Sequence, residues 1–163
     1  KDVFNKYGFY DERLIRNQDI ELNKRIVRGG GHIFIVPDTY CTYLARETFD
    51  GLAKNNFGNG KWNILTVYYT KQFKSLSVRH FIPLLFLLSL IVPSILACFY
   101  FPIGIISLIS LLLYIFLISI ISLSLALKKK LCFLYLMKAF VILHMSYGWG
   151  SLVGIINMIG YRK

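Results

Sequence analysis

The sequence predicts an α/β segment followed by an all-α transmembrane region, with the boundary near residue 70. Three observations lead to this fold class. A helix-forming stretch near residue 20 is followed by three glycines and a short apolar run, which is the order helix, tight turn, strand. All eight acidic residues lie in residues 1–50, whereas residues 51–163 contain eleven Lys and Arg and no acid. The second half also contains a long stretch without charged side chains, which is typical of membrane-spanning helices.

The charge-free stretch, Phe81 to Leu127, predicts a transmembrane helical hairpin. At a rise of about 1.5 Å per residue, it is long enough to cross a hydrocarbon core of about 30 Å twice. We place the first span at about residues 81–100, with Pro93 expected to kink it, and the second at about residues 103–127. A short turn at Phe101-Pro102-Ile103-Gly104 would connect the two spans.

Basic residues at both ends of this hairpin predict its orientation. Under the positive-inside rule, such clusters face the cytoplasm, so residues 1–70 would be cytoplasmic. The clusters also favour an anionic membrane surface over nucleic acid as a partner, because no nucleic-acid-binding motif accompanies them. They are Lys71, Lys74, Arg79 and His80 before the first span, and Lys128, Lys129 and Lys130 after the second.

Residues 131–156 are apolar enough to cross a membrane, but they contain Lys138, His144 and several glycines. We predict a third span here, because ionisable groups inside a helix bundle find partners. A helix lying in the membrane interface and a re-entrant pair of helices are the alternatives. A third span would place Arg162 and Lys163 outside the cell, while the alternatives would keep them inside.

Acidic residues begin the predicted helix near residue 20. Asp19 lies in its first turn, where free backbone N–H groups and the positive end of the helix dipole keep a carboxylate ionised at neutral pH. Glu21 and Arg25 are four residues apart and can pair on one face. An isolated Asp-x-Glu of this kind usually stabilises a helix start and nothing more. Here it is followed by the glycine turn, residues 29–31, and by the predicted strand, residues 32–38.

The segment from Gly8 to Arg25 resembles the acceptor-side active-site segment of family 2 glycosyltransferases, which are inverting enzymes with a GT-A Rossmann-like domain. The likeness is to membrane-bound members of the exopolysaccharide and succinoglycan-biosynthesis type. Residues 1–70 would then be the C-terminal part of that domain. The resemblance implies that Asp19 is the catalytic base, which takes the proton of the acceptor hydroxyl as that hydroxyl attacks the anomeric carbon. It also places Gln18 at the substrate, where the family usually has a second acid.

The resemblance continues to Trp62. It implies a phosphate contact for Arg46, and it matches Lys61-Trp62 to an element that flanks the acceptor sugar and the donor diphosphate. Lys61 would stabilise the departing diphosphate, and Trp62 would offer a flat face to a sugar ring. Gly58 stands where cellulose-synthase-like members have Gln, which argues against glucan-like processivity. A Lys and a Trp at a membrane interface are an equal alternative from the residues alone.

A second element, from His144 to Gly150, resembles a His-x-x-Tyr-Gly-x-Gly element of membrane-bound, exopolysaccharide-type members of the family. The sequence does not define its role. A structural His144, hydrogen-bonded to Tyr147 or to a backbone carbonyl, is the simpler interpretation. Contact between this element and a lipid diphosphate headgroup is the more specific functional interpretation.

The resemblance implies that the chain is part of a larger enzyme of polysaccharide or cell-envelope biosynthesis. That parent would use a divalent metal, Mg or Mn, through an Asp-x-Asp motif that these 163 residues lack, so the chain alone would bind no metal and be inactive. Its partners would be a nucleotide sugar, a glycan or lipid-linked acceptor, and membrane lipid. The alternative from another class is a small membrane anchor or interaction protein with a basic cytoplasmic segment and no catalysis.

The three cysteines, Cys41, Cys98 and Cys132, lie far apart in the sequence. They form neither a Cys-x-x-Cys metal pair nor a disulfide framework. We expect them to be packing residues in a reducing compartment.

Overall fold

The computed structural model describes residues 2–72 and 78–160, and it is 75% helical. Within these ranges it contains no β-strand, so the predicted α/β class is wrong and the fold is all-α. Short 3₁₀ turns precede α4 and α5, at Val78–Phe81 and Phe101–Ile103. The helices are α1 (Asp2–Tyr7), α2 (Gln18–Arg28), α3 (Phe49–Thr70), α4 (Ile82–Leu96), α5 (Gly104–Lys129) and α6 (Phe133–Gly160).

The segment predicted as a strand, residues 32–38, is irregular chain that ends in the expected turn at Pro37 and Asp38. Its apolar side chains are largely exposed, 84% for Phe34 and 92% for Ile35. A strand needs hydrogen bonds to a neighbouring strand and burial of at least one face. The described part of the chain supplies neither at this place, so a β-favouring composition alone does not produce a strand.

The predicted helix and glycine turn before this segment are confirmed. Helix α2 is followed by Gly30 with a φ of 80°, the left-handed backbone that ends many helices. The predicted Glu21–Arg25 pair is also present, with Arg25 Nη2 2.5 Å from the Glu21 carboxylate. Arg25 further donates to the backbone carbonyls of Tyr7 and Phe9 at 2.7 and 2.9 Å, so it ties α2 to the preceding chain.

Three helical segments are long and apolar enough to cross a membrane, which places the protein among integral membrane proteins. They are Arg79–Leu96, which includes α4 and the 3₁₀ turn before it, Phe101–Lys129, which includes α5, and Phe133–Gly160, which is α6. A helix lies at each predicted span, although α4 ends at Leu96 and is shorter than expected. Pro93 lies inside α4. Helix α6 is continuous over 28 residues, so a re-entrant pair of shorter helices is wrong. Of the basic residues that bear on orientation, Lys74, Arg162 and Lys163 lie outside the described residues.

The three cysteines are exposed and free, so the prediction that they are packing residues is wrong. Cys41 lies in the irregular segment before α3, Cys98 follows α4, and Cys132 lies between α5 and α6. Each thiol is therefore open to reagents or to surrounding lipid.

Helix α3 packs along α6, with backbone against backbone. Gly60 lies against the Tyr147 carbonyl of α6, and Gly150 lies against the Phe57 carbonyl of α3. A Cβ atom added at either glycine would overlap the facing backbone. Small residues permit this approach between helices in membrane proteins, where close van der Waals contact replaces the hydrophobic effect as the source of stability. The contact joins α3, which belongs to the first 70 residues, to a candidate spanning helix.

We expect Gly150→Ala to destabilise the protein, because the new Cβ would overlap the Phe57 carbonyl and separate α3 from α6. Overpacking of this kind costs about 1–3 kcal/mol. This cost offsets or exceeds the helix-propensity gain of about 1 kcal/mol from replacing Gly with Ala. Thermal unfolding in detergent measures the change. Gly160→Ala is the control, because nothing lies within 4 Å of a Cβ at that position. Equal stability of the two variants would contradict the close contact.

Candidate functional site

A polar pocket of about 490 Å³ lies between the start of α2 and the first half of α3. Three of the predicted site residues, Gln18, Asp19 and Arg46, line it together, although they come from separate parts of the sequence. Lys61 and Trp62 do not line it. The full lining is Tyr10, Ile15, Arg16, Asn17, Gln18, Asp19, Arg46, Asn55 and Asn59.

Asp19 presents an exposed carboxylate to this pocket from the first turn of α2. No hydrogen bond or ion pair joins it to another residue that the structure describes. The neighbouring Gln18 instead donates its amide N–H to the backbone carbonyl of Leu14, which closes the loop before the helix. Asp19 is therefore the lining acid that is available to an incoming group.

Arg16 was not predicted as a site residue, yet it joins the two walls of the pocket. Its Nη1 donates to the Asn55 side-chain and backbone oxygens, each at 3.2 Å, and to Asn59 Oδ1 at 2.9 Å. Gly58 makes this possible, because a Cβ there would lie 2.7 Å from the Arg16 guanidinium carbon. The absence of a side chain at Gly58 thus gives room to the Arg16 guanidinium.

Arg46 approaches the same asparagine from the other side of the pocket. Its Nη2 lies 3.4 Å from Asn55 Oδ1, and its Nη1 donates to the Leu44 carbonyl at 3.3 Å. Among the described residues, neither Arg46 nor Arg16 has a carboxylate partner. Two guanidinium groups therefore meet at one amide oxygen and leave uncompensated positive charge at the pocket wall.

A line of side-chain hydrogen bonds connects the start of α2 to α6. Asn17, with a left-handed φ of 65°, does not cap α2 but donates to Asn63 Oδ1 at 2.8 Å. Asn63 in turn donates to the Tyr147 hydroxyl. The pocket is thus linked to the membrane region by polar contacts as well as by the glycine packing.

The two singled-out residues of the C-terminal element point to different neighbours. Tyr147 faces α3, as described, whereas His144 Nδ1 lies 3.1 Å from the hydroxyl of Tyr114 on α5. His144 is therefore paired with Tyr114 and not with the expected Tyr147, and its contact with a lipid diphosphate headgroup stays a prediction. Both residues join helices to each other.

Lys61 and Trp62 lie half-buried in α3. The Lys61 carbonyl faces Gly154 of α6, 2.8 Å from a Cβ added there, and the Trp62 carbonyl accepts a hydrogen bond from Thr66 at 2.6 Å. Their predicted contacts with a diphosphate and a sugar stay predictions.

The divalent metal that the resemblance implies is expected in the larger enzyme, through a motif outside this chain. Residues 2–72 and 78–160 contain no group of three His, Cys, Asp or Glu side chains that could hold a metal ion.

No family model matches the chain, and no curated protein or solved structure matches it. The assignment to family 2 glycosyltransferases therefore stays a proposal, and its support is the residues and their geometry.

We expect the Asp11 carboxyl to titrate below its ordinary pKa of 3.8, because the Arg13 side chain donates to it at 2.9 and 2.7 Å. The pair fixes the turn beside Tyr10. Because the pKa of Asp11 is lower in the folded state than in the unfolded state, the Asp11–Arg13 pair stabilises the fold fully above pH 3.8. This stabilisation is lost as the pH falls through the folded-state pKa of Asp11. NMR of the Asp11 carboxyl carbon across a pH series measures the midpoint of its titration. Arg13→Gln should raise it toward the ordinary value, whereas Lys54→Gln, on α3, should leave it unchanged; equal midpoints in all three proteins would refute the assignment.

We expect Asn63→Ala and Tyr147→Phe to be non-additive. Asn63→Ala leaves the half-buried Asn17 amide and Tyr147 hydroxyl without their shared partner, which costs about 1–3 kcal/mol. Once Asn63 is absent, removal of the hydroxyl should have a much smaller effect. A double-mutant cycle of unfolding free energies in detergent gives the coupling, and a value near zero would mean that the link is not formed.

Proposed function

We propose that the chain is the acceptor-side and membrane part of an inverting family 2 glycosyltransferase that works in polysaccharide or cell-envelope biosynthesis. The enzyme transfers a sugar from a nucleotide donor to a glycan or lipid-linked acceptor at the cytoplasmic face of the membrane. The proposal assigns donor binding and the divalent metal to a part of the enzyme outside this chain. The observation that supports it most is that Asp19, Gln18 and Arg46 line one pocket.

The proposed chemistry is a single displacement. The acceptor hydroxyl oxygen forms a bond to the anomeric carbon while the bond from that carbon to the donor diphosphate breaks, and the hydroxyl proton goes to Asp19. One displacement inverts the anomeric configuration. A general base must come within hydrogen-bond reach of the proton it takes, and an exposed Asp19 carboxylate without a partner in the pocket is accessible to such a hydroxyl.

Arg16 and Arg46 are the proposed contacts for negative charge on the substrate. Both guanidinium groups line the pocket that holds Asp19, and neither is paired with a carboxylate of the described chain. Arginine binds phosphate oxygens through two N–H groups in a fixed geometry. The two residues are therefore suited to a phosphate on the substrate, and Asp19 to a hydroxyl beside it.

The exposed apolar side chains of the irregular segment favour a second candidate, a membrane anchor that binds a protein partner. Phe34, Ile35 and Tyr40 are between 84% and 96% exposed, a kind of surface that other proteins often cover. Such a protein would need neither an ionised Asp19 nor a saccharide. Binding that responds to saccharide favours the glycosyltransferase, whereas binding of a protein partner that does not respond to saccharide favours the anchor.

We expect Asp19→Asn to abolish sugar transfer in the complete enzyme and to leave donor binding intact. General-base catalysis contributes about 10²–10⁴-fold, so turnover should fall by at least the lower figure. Transfer from a labelled nucleotide sugar measures turnover, and equilibrium binding of the same donor measures affinity. Asp38→Asn is the matched control, because Asp38 is exposed in a turn and does not line the pocket.

Near-normal turnover of Asp19→Asn would remove Asp19 from the mechanism. Loss of turnover in Asp38→Asn to the same extent would show that the effect is not specific to the pocket. Loss of donor binding together with turnover would assign Asp19 to the donor and not to the acceptor hydroxyl.

A further inference from the structure

A second pocket, of about 460 Å³, lies among α4, α5 and α6, within the membrane-spanning region, and we call it the membrane cavity. Helices α4 and α5 touch at its inner end, where Ser107 Oγ donates to the Leu90 carbonyl at 2.9 Å. From there the cavity extends between them toward the start of α4, and its lining is mainly apolar. Ile82 and Leu117 of that lining are 58% and 48% exposed, so the cavity is open to the surrounding lipid. Its volume is that of a site for one small ligand or chain.

Tyr114 of α5 and His144 of α6 form a polar pair in the wall of the membrane cavity. The Tyr114 hydroxyl lies 3.1 Å from His144 Nδ1. An uncharged imidazole has one N–H, and when Tyr114 donates to Nδ1, that N–H is on Nε2. Nε2 is on the far side of the ring from this contact. The pair can therefore donate one hydrogen bond to a molecule in the cavity.

This polar pair lies close to the membrane surface. The ring of Phe86 stacks on that of Tyr114, with centroids 4.1 Å apart. Phe86 comes four residues after Ile82, where α4 begins, so at about 1.5 Å per residue it is about 6 Å deeper. The polar layer on each side of a bilayer is about 5–7 Å thick, and the hydrocarbon core lies beneath it. The pair is therefore near the boundary where a glycerol ester joins a lipid headgroup to its chains.

Arg79 supplies a positive charge above the cavity. It is an exposed residue of the 3₁₀ turn that immediately precedes α4, and it begins the first candidate span. Residues 51–163 contain no acidic residue, and no carboxylate of the described chain pairs with Arg79. A cation at this level attracts an anionic headgroup. From the surface inward, the protein thus presents a cation, a hydrogen-bond donor and an apolar cavity.

We infer that the membrane cavity binds an anionic glycerophospholipid of the bilayer. The phosphate of the headgroup lies at Arg79, an ester carbonyl accepts a hydrogen bond from His144, and the attached acyl chain lies between α4 and α5. A zwitterionic lipid would bring no net charge to Arg79, and a lipid without an ester would leave the imidazole N–H without an acceptor. The lipid is not consumed, and the site does not rest on the proposed sugar transfer.

Native mass spectrometry of the whole chain tests this site without an activity assay. The protein is purified in neutral detergent, freed of lipid and titrated with phospholipids of equal chain length. The probes are diacyl phosphatidylglycerol, its dialkyl ether analogue, which has no ester carbonyl, and diacyl phosphatidylcholine, which has no net charge. Diacyl phosphatidylglycerol should bind about fivefold more tightly than either of the others, because each of them lacks one of the two polar contacts.

The charge contact is tested with Arg79→Gln. This variant should weaken binding of diacyl phosphatidylglycerol about fivefold and remove its advantage over phosphatidylcholine. Arg79 is exposed, so its replacement should leave the fold intact. Lys129→Gln is the matched control, because Lys129 is an exposed cation in the last turn of α5 that does not line the cavity.

The hydrogen bond is tested with His144→Phe, which should bind the diacyl and dialkyl phosphatidylglycerols equally. Because His144 also joins two helices, Tyr114→Phe provides a second variant that keeps the ring and its stacking on Phe86. Without the Tyr114 hydroxyl, nothing directs the imidazole proton to Nε2, so the preference for the ester lipid should fall in this variant as well.

Four results would overturn the inference. Failure of the native chain to bind diacyl phosphatidylglycerol would remove the site, and equal binding of phosphatidylcholine would make it a site for any lipid chain. Equal loss of affinity in Arg79→Gln and Lys129→Gln would mean that the attraction is diffuse. A dimer whose formation excludes lipid would show that a second copy of the chain covers this face.

Discussion

The close approach of α3 to α6 is the constraint on which the rest of the structure depends. At Gly60 and Gly150 the backbone of each helix occupies the space where the other would have a side chain. Gly154 extends the contact by one turn of α6, against the Lys61 carbonyl. Because protein interiors tolerate little added volume, this contact fixes the separation and the register of the two helices.

The position of the polar pocket follows from that contact. With one face of α3 held against α6, Asn55 and Asn59 are left to face the N-terminal segment, and Asn63 bridges that segment to Tyr147 of α6. These asparagines hold Arg16 and Asn17, and Asn17 immediately precedes the helix that presents Asp19. The carboxylate thus owes its position to contacts that run back, through α3, to a membrane-spanning helix.

Features that depend on local sequence could be predicted. The glycine stop after α2, the Glu21–Arg25 pair and the charge-free spans all follow from neighbours in the chain. The strand at residues 32–38 could not be judged in this way, because a strand exists only with a partner. Composition favoured a strand at residues 32–38, but the described residues contain no neighbouring strand with which it could pair.

Part of the pocket could be predicted and part could not. Gln18, Asp19 and Arg46 were identified from a resemblance in the order of motifs, and the structure brings them together. Arg16 was missed because its role depends on α3 folding back beside it. The signal for it was present: Asn55, Asn59 and Asn63 recur every four residues, which puts three amides on one face of a helix. The α3–α6 contact was missed as well, because apolarity indicates which helices span a membrane and not which helices touch.

The attachment of α3 to α6 also has a consequence for where the N-terminal segment can reach over the membrane. Asp19 is connected to α6 through side-chain hydrogen bonds and a helix-to-helix backbone contact. On the proposed function, these contacts hold the Asp19 carboxylate at a fixed distance from the membrane-spanning helices. On that proposal, acceptors would be selected by how far their reacting hydroxyl lies from the membrane surface.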